Sequence, residues 1–367
     1  MGSVLQLGVI GTGAISDIYL KNLNSLFPHV QVKAVCARHL TRAQTKAEQF
    51  GIQAYTVEQM LSDPEIRMVV VLTPVDTHYE IIKRALLAGK HVYTEKTIAG
   101  TTAEALELCT LADAENLYLG SAPDTFLGTC FQTARKAIDE GLIGEIHSFS
   151  VAISRNNDFA TAHLPFLRLP GAGCLRDYLV YYITVLIALL GPAKKAGAFV
   201  KTPYPTRRNA MPGTDGFGEM IHTPNESVVA AILELENGIV GTLHENNETI
   251  MEDRADFAIY GTRGVLLLGS PNHFGGQVRL LRAEPGQRMT SSVLESVAGY
   301  SGNSRGLGAA EMAEALLSGR KNRASKELAA HVLEILEAME RSGKEDRMIP
   351  ISSSCERPSF FTSIEES

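Results

Sequence analysis

A surplus of positive charge is what this chain most plainly lacks. Its 34 Lys and Arg stand against 41 Asp and Glu, a formal charge of −7. That balance argues against a dedicated nucleic-acid binder, which needs a cationic face to displace phosphate counterions. Cysteine is scarce as well. Cys36, Cys109, Cys130, Cys174 and Cys355 make an odd, scattered five with no Cys-x-x-Cys pair. A disulfide framework or a cysteine zinc site is not expected from such a set, and each is read as a small apolar core residue. No apolar run approaches the ~20 residues of a membrane helix. The opening stretch, Met1 to Gly8, has neither the basic region nor the cleavage site of a secretory leader, and Gln6 spoils a myristoylation pattern. These absences lead to the expectation of a cytoplasmic protein with no nucleic-acid or membrane partner.

What is present is globular. Over 367 residues, 45% are hydrophobic and 20% charged, enough for about two domains at roughly 150 residues each. The first part alternates short apolar runs with helical patterns. Leu5 to Ile10, Val30 to Cys36, Met68 to Leu72, His91 to Tyr93 and Leu117 to Ser121 read as strands. Ile15 to Leu26, Thr41 to Phe50, Asp76 to Ala88 and Thr101 to Ala114 read as the helices between them. The run Met68-Val69-Val70-Val71-Leu72 is apolar throughout, so both its faces are expected to be covered, as in a parallel sheet. This alternation predicts an α/β fold with a doubly wound parallel sheet over residues 1–124.

Beyond residue 125 the rhythm changes. A helix, Thr125 to Asp139, leads into long alternating stretches: Ile146 to Ser154, Ser227 to Leu235, Val240 to Glu245, Asp256 to Tyr260 and Gln277 to Leu281. Turn pairs such as Asn237-Gly238 and Arg263-Gly264 read as hairpin connections. Helical patterns recur at Asp177 to Leu190, Leu307 to Leu317 and Ser325 to Ser342. Residues 125–350 are therefore expected to form an α+β domain on a large, mostly antiparallel sheet. The Ser-rich tail, 351–367 with Glu365 and Glu366, is expected to fray.

Gly11-Thr12-Gly13-Ala14-Ile15-Ser16 lies between the first strand and the first helix. Gly11 permits a tight turn, Gly13 lets backbone approach a pyrophosphate, and Ser16 is small enough for close helix–strand packing. The helix start offers unpaired N–H groups to phosphate. The alternative is a merely structural turn. At the end of the second strand, where an acidic residue would bind the ribose hydroxyls of NAD, stand Cys36-Ala37-Arg38-His39. An arginine there can pair with a 2′-phosphate, so NADP is the expected cofactor, with NAD still possible and a solvated Arg38 the alternative.

Gly8-Val9-Ile10-Gly11-Thr12-Gly13, Leu72-Thr73-Pro74 with His78, and Thr94-Glu95-Lys96-Thr97 together resemble the glucose–fructose oxidoreductase/inositol dehydrogenase/MocA (Gfo/Idh/MocA) family. The similarity continues through Gly171 to Asp177 and Tyr260 to Gly264. It implies a Rossmann domain followed by a sheet-based α+β domain, assembly into homodimers or homotetramers, and NAD(P)-linked oxidation or reduction of sugars, cyclitols and related polyols. Gly11, Thr12, Gly13, Ala14, Ile15, Ala37, Arg38, Thr73, Pro74, His78, Glu95 and Lys96 are the implied cofactor-binding set. The family's Glu-Lys-Pro becomes Glu95-Lys96-Thr97, and because a cis bond is cheap only before proline, a trans Lys96–Thr97 peptide is expected. The family's Asp-x-Gly-x-His falls on Asp177, Leu179 and Tyr181. The resemblance assigns Lys96, Asp177 and Tyr181 to catalysis. Tyr181 would exchange the proton, Lys96 would stabilise the oxyanion, and Asp177 would accept a substrate hydroxyl. The i, i+4 spacing predicts Asp177 and Tyr181 on one helix face, and Leu179 is expected to fill space that glycine leaves open.

In the second domain, Arg155, Asn156, Asp158 and His163 follow one strand, and His244, Glu245 and Asn246 end another. Arg155, Asn156, His163 and His244 are read as candidate substrate-binding residues, suited to several hydroxyls. Solvated loop residues are the alternative, and no spacing there is diagnostic of a metal. Three activities fit: hydride transfer to or from a polyol-like substrate; elimination, epimerisation or glycoside cleavage with a recycled cofactor; and a catalytically idle dinucleotide sensor.

Overall fold

The computed structural model describes residues 4–364 except 170, 252, 284 and 285. Its first strands and helices run β1 (Leu5–Ile10), α1 (Ser16–Ser25), β2 (Val30–Cys36), α2 (Leu40–Phe50), β3 (Gln53–Tyr55), α3 (Val57–Ser62) and β4 (Met68–Val71). Next come α4 (His78–Leu87), β5 (His91–Thr94), α5 (Thr102–Ala114) and β6 (Leu119–Ser121). The six strands form one sheet in the order β3-β2-β1-β4-β5-β6, parallel at every pairing. All four residues of β4 are buried, as their unbroken apolar run requires when both faces are covered. Strand order reverses between β1 and β4, the switch point at which open α/β sheets leave a crevice beyond the strands' carboxyl ends. Helix α5 starts with a capping box in which Thr101 and Glu104 satisfy each other's backbone N–H groups.

The second half contains α6 (Thr129–Asp139), β7 (Ile146–Ser154), α7 (Asn157–His163), α8 (Val180–Leu190), β8 (Ala193–Lys201), β9 (Thr206–Arg208) and β10 (Met220–His222). It continues with β11 (Val228–Leu235), β12 (Val240–Asn246), β13 (Arg254–Gly261), β14 (Gly264–Leu268), β15 (Arg279–Arg282) and β16 (Thr290–Val293). Last are α9 (Leu307–Ser318), α10 (Lys326–Glu345) and β17 (Ile349–Pro350). Nine strands pair in the order β16-β15-β14-β13-β7-β12-β11-β8-β17, antiparallel except for β7 beside β12. The expected doubly wound sheet and the expected large, mostly antiparallel sheet are both present. Along β11 and β12 buried and exposed residues alternate, so Leu243 and Glu245 face inward while Thr242 and His244 face outward.

The chain divides into two compact units, one of residues 1–128, 298–333 and 358–367 and the other of 129–297 and 334–357. The expected division at 124 and 350 is corrected in its second half. Residues 298–333 belong with the first unit because α9 packs on α1, β5 and β6. The tail is corrected too. Ser352 and Ser353 donate backbone bonds to Glu334 at 2.9 and 2.8 Å, Arg323 holds the carbonyls of Ser359 and Phe360, and Phe361 is buried. Glu365 and Glu366 lie outside the described residues. Among the described residues no helix is long and apolar enough to cross a membrane.

Candidate active site

The glycine turn has the shape a pyrophosphate needs. Gly11 has φ +119°, and a Cβ there would lie 2.7 Å from the Leu72 carbonyl oxygen, so only glycine fits. A Cβ on Gly13 would meet nothing within 4 Å, which leaves its backbone open to a ligand. Ser16 locks the turn, its Oγ donating to the Gly13 carbonyl at 2.7 Å. Helix α1 has no side-chain cap at its N-terminus, an end that suits an anion, although the Ser16 N–H itself goes to the Gly13 carbonyl at 3.0 Å. Gly11, Thr12, Gly13, Ala14 and Ile15 thus form a cradle that suits a dinucleotide. Past β2, Ala37 is half-buried and Arg38 is exposed, with no ion pair or side-chain hydrogen bond among the described residues. Arg42, which carries no motif in the sequence, is likewise exposed one turn into α2.

Three segments meet at the carboxyl end of β4 and β5. His78 is buried, with Nδ1 2.8 Å from the Thr97 carbonyl and Nε2 2.8 Å from the Thr73 carbonyl. Burial lowers its pKa, against the pull of those two carbonyls. His78 therefore sits between the Thr73-Pro74 turn and the Lys96-Thr97 turn, with a backbone carbonyl 2.8 Å from each ring nitrogen and the single N–H of the neutral ring donating to one of them. Glu95 accepts the Tyr19 hydroxyl at 2.7 Å on Oε1 and the Lys96 backbone N–H at 3.1 Å on Oε2. Burial first, and then the neighbouring Glu95, Asp124 and Tyr93, raise the Tyr19 phenol well above its ordinary value, so it stays a donor. The expected trans peptide is corrected: Lys96–Thr97 is cis. Thr97 is held in that turn by its own Oγ1, which donates to the Ala99 carbonyl at 2.8 Å, and by His78 at its carbonyl.

In the second unit, the expected helix from Asp177 begins as a π-helical turn, Leu175–Leu179, and becomes α-helical at Val180. The wider turn alters the simple i, i+4 stacking of Asp177 and Tyr181, and such turns recur at functional sites. Asp177 and Tyr178, consecutive in sequence, both meet Arg155. The guanidinium Nη1 lies 3.4 Å from Asp177 Oδ2, and its carbon sits 4.0 Å from the Tyr178 ring centroid. Asp253 approaches Arg155 Nε at 3.3 Å. Burial would lower the Arg155 pKa, but Asp177, Asp253 and Glu245 outweigh it and raise it. Tyr181 is buried one residue into α8. Leu179 is fully buried and is not among the residues that line the pocket beside Asp177.

That pocket lies within the second unit and is lined by Arg155, Asp177, Thr223, Glu226 and Asn247 among others. Gly173 leaves room for the Glu226 carboxylate beside it, since a Cβ there would fall 2.0 Å from Glu226 Oε1. Glu226 in turn accepts the Leu175 N–H at 3.2 Å and fixes the start of the π-helical turn. Of the substrate residues expected from sequence, only Arg155 lines the pocket. Asn156 caps α7, its Oδ1 accepting the Phe159 N–H at 3.1 Å. His163 is exposed at the end of α7, stacked on Phe159 with its Nδ1 at the Phe159 carbonyl. His244 lies on the outer face of the sheet, opposite to Glu245, because neighbouring strand residues point to opposite sides. Thr223, Glu226 and Asn247 were missed because they sit at strand ends with no motif around them. The inward parity of Asn247 with Glu245 was the one signal that could have found it.

The description "Oxidoreductase family, NAD-binding Rossmann fold" matches residues 5–122, and the "GFO/IDH/MocA C-terminal domain" matches residues 131–267. The chain belongs to the Gfo/Idh/MocA family. It is 33% identical over 191 residues to an uncharacterized oxidoreductase of Schizosaccharomyces pombe, 51% of this chain and 52% of that one. The chain thus spans about half the length of that relative. A dTDP-3,4-didehydro-2,6-dideoxy-alpha-D-glucose 3-reductase of Streptomyces antibioticus is 30% identical over 271 residues, 72% of this chain and 75% of its own. Among solved structures, levoglucosan dehydrogenase in complex with NADH and L-sorbose superposes with a TM-score of 0.82 at 20% identity. That match covers 95% of this chain and 99% of the other, and it is a likeness of fold.

Proposed function

We propose that this protein is an NADP(H)-preferring oxidoreductase that interconverts a carbinol and a carbonyl on a sugar-like or cyclitol-like polyol. A bound nicotinamide nucleotide supplies or takes up the hydride. The observation that carries this reading is the open, uncapped glycine cradle at the sheet's switch point, with Lys96 two residues beyond β5 on the same sheet edge. Gly11 to Ile15 would hold the pyrophosphate, Ala37 and Arg38 the adenosine ribose with its 2′-phosphate, and Thr73 and Pro74 would border the nucleotide. Lys96 would stabilise negative charge on the substrate oxygen. Tyr181 would take the hydroxyl proton during oxidation and return it during reduction. Asp177, already oriented by Arg155, would accept a second substrate hydroxyl. Glu95 and His78 would act by holding Lys96 and its turn.

Homo-oligomer formation is part of the same proposal. Phe199, Ile232 and Val240 are 66%, 51% and 50% exposed on the outer face of the nine-stranded sheet, an apolar set suited to a second copy of the chain. The test of the catalytic reading is a fluorescence titration with NADPH and NADH, followed by absorbance assays on a panel of polyols and ketones. Tyr181→Phe and Lys96→Ala are expected to lower turnover by about 10²–10⁴-fold while leaving nucleotide affinity within a few-fold. Absence of measurable affinity for any pyridine nucleotide defeats the reading. Product formation without a net change in cofactor absorbance turns it into a recycled-cofactor reaction.

A further inference from the structure

The pocket in the second unit has a charge pattern that selects among polyols. Arg155 is its lining cation, with Nη1 3.4 Å from Asp177 and Nε 3.3 Å from the exposed Asp253. Other arginines of this unit are engaged elsewhere. Arg168 donates to the carbonyls of Thr161 and Ala162, Arg176 pairs with Glu337 and Glu340, and Arg207 pairs with Glu248 and Asp158. Two further carboxyls stand on the pocket's margins: Glu226 in the lining and Glu245 behind it. A carboxylate or phosphate entering here meets the Asp177 and Glu226 carboxyls beside Arg155, whose positive charge Asp177 and Asp253 already offset.

The second feature is a set of buried polar atoms without partners. Glu245 is 0% exposed, and neither of its carboxylate oxygens reaches hydrogen-bond geometry, although Asn247 lies beside it. Asn247, 7% exposed and in the pocket lining, has an Oδ1 with no partner, and the buried Ser227 Oγ has none either. Register puts the three together on the inner face: Val229 pairs with Glu245, and Asn247 donates its N–H to the Ser227 carbonyl. Burial, with Asp177 and Glu226 adding to it, pushes Glu245 well above the ordinary carboxylate range, against the opposing pull of Arg155 and Asn247. Buried polar atoms of this kind take a partner from water or ligand. A ligand hydroxyl can donate to the Asn247 Oδ1, the one of these atoms on the pocket lining. A carboxylate or a phosphate dianion cannot.

We infer that this pocket takes the hydroxyl-rich end of a neutral polyol and discriminates against uronic acids, sugar phosphates and nucleotide-linked sugars. The inference rests on the polyol reading of the proposed function and narrows its substrate class. Its test is calorimetric titration of the full-length protein, saturated with NADPH, with matched pairs: D-glucose against D-glucuronate and glucose 6-phosphate, and myo-inositol against its monophosphate. The neutral member is expected to bind about tenfold or more tightly than its anionic partner. Asp253→Asn, an exposed substitution that removes one negative charge from beside Arg155, is expected to narrow that gap by about threefold. An anionic member that binds as well as its neutral parent, or a panel in which no neutral member binds, overturns the inference. The two readings fail separately. Turnover of a sugar phosphate keeps the hydride reaction and sinks this selectivity, whereas selective binding with no hydride transfer by any member does the reverse.

Discussion

The six-stranded sheet offers a ligand mainly backbone at the ends of its strands, whereas the nine-stranded sheet offers side chains. In the first, Gly11, Gly13 and the uncapped start of α1 make the cradle, and a single stretch of sequence contains all of it. In the second, Arg155 follows β7, Asp177 rides a π-helical turn, Glu226 precedes β11 and Asn247 follows β12. A site made of backbone tolerates many side chains but almost no change of conformation. A site made of side chains from four segments is sensitive to which face each residue takes. The two kinds of site should therefore break differently.

The largest effect is expected in the cradle. Gly11→Ala places a methyl group 2.7 Å from the Leu72 carbonyl at φ +119°. It should lower stability by about 2–4 kcal/mol in denaturant titration and weaken NADPH binding by an order of magnitude or more. Gly13→Ala, with nothing within 4 Å of its Cβ, sharpens the point. Stability should change by less than about 1 kcal/mol, yet nucleotide affinity should still fall. Loss of stability without loss of affinity in either variant would place the nucleotide elsewhere.

Next in size is a buried carboxyl of the same unit. Asp124 accepts the Gly308 N–H at 2.9 Å, and burial raises its pKa to about 6, with Glu95 adding to the rise and Gly308 and Arg305 opposing it. A carboxyl whose folded pKa is raised binds a proton more readily folded than unfolded. It therefore destabilises the fold above pH 6, and this penalty is relieved as pH falls from about 6 towards the ordinary carboxylate value near 4. Asp124→Asn keeps an acceptor for Gly308. It should raise stability at pH 8 by about 1–3 kcal/mol, with the gain vanishing near pH 4. A gain that is the same at both pH values would show that the charge is not the cause.

Smaller still is the effect of Arg38. With no ion pair to its guanidinium among the described residues, Arg38→Ala should weaken NADPH by about tenfold, roughly 1.4 kcal/mol, and leave NADH within twofold. Equal losses for both nucleotides would remove the 2′-phosphate from the account. This position is legible in the amino-acid sequence, because a missing acidic residue and an arginine just past the second strand are local facts. The parallel sheet, the glycine turn and most of the long strands are legible for the same reason, since period and punctuation are carried by neighbours in sequence. The Lys96–Thr97 geometry is not, because His78 and Ala99 act on Thr97 through space. Nor is the docking of 298–333 on the first unit, which depends on where α9 packs. The π-helical turn leaves no periodic mark in Asp177 to Leu190, whose apolar run reads as one helix.

His244 gives the finest test of the difference between the two sheets. By composition it is as good a polyol ligand as Arg155, and it sits one residue from Glu245. Strand parity alone separates them: Glu245 and Asn247 face inward with Arg155, while His244 shares the outer face with Thr242. His244→Ala is expected to leave polyol affinity within twofold and stability within about 0.5 kcal/mol. Arg155→Ala, which removes an ion pair from Asp177 and the cation from the pocket lining, should weaken the same polyol severalfold or more. Comparable losses from both variants would mean that β12 is set one residue out of the present register. Glu245 would then face outward, and the acceptor cluster on the inner face would dissolve with it.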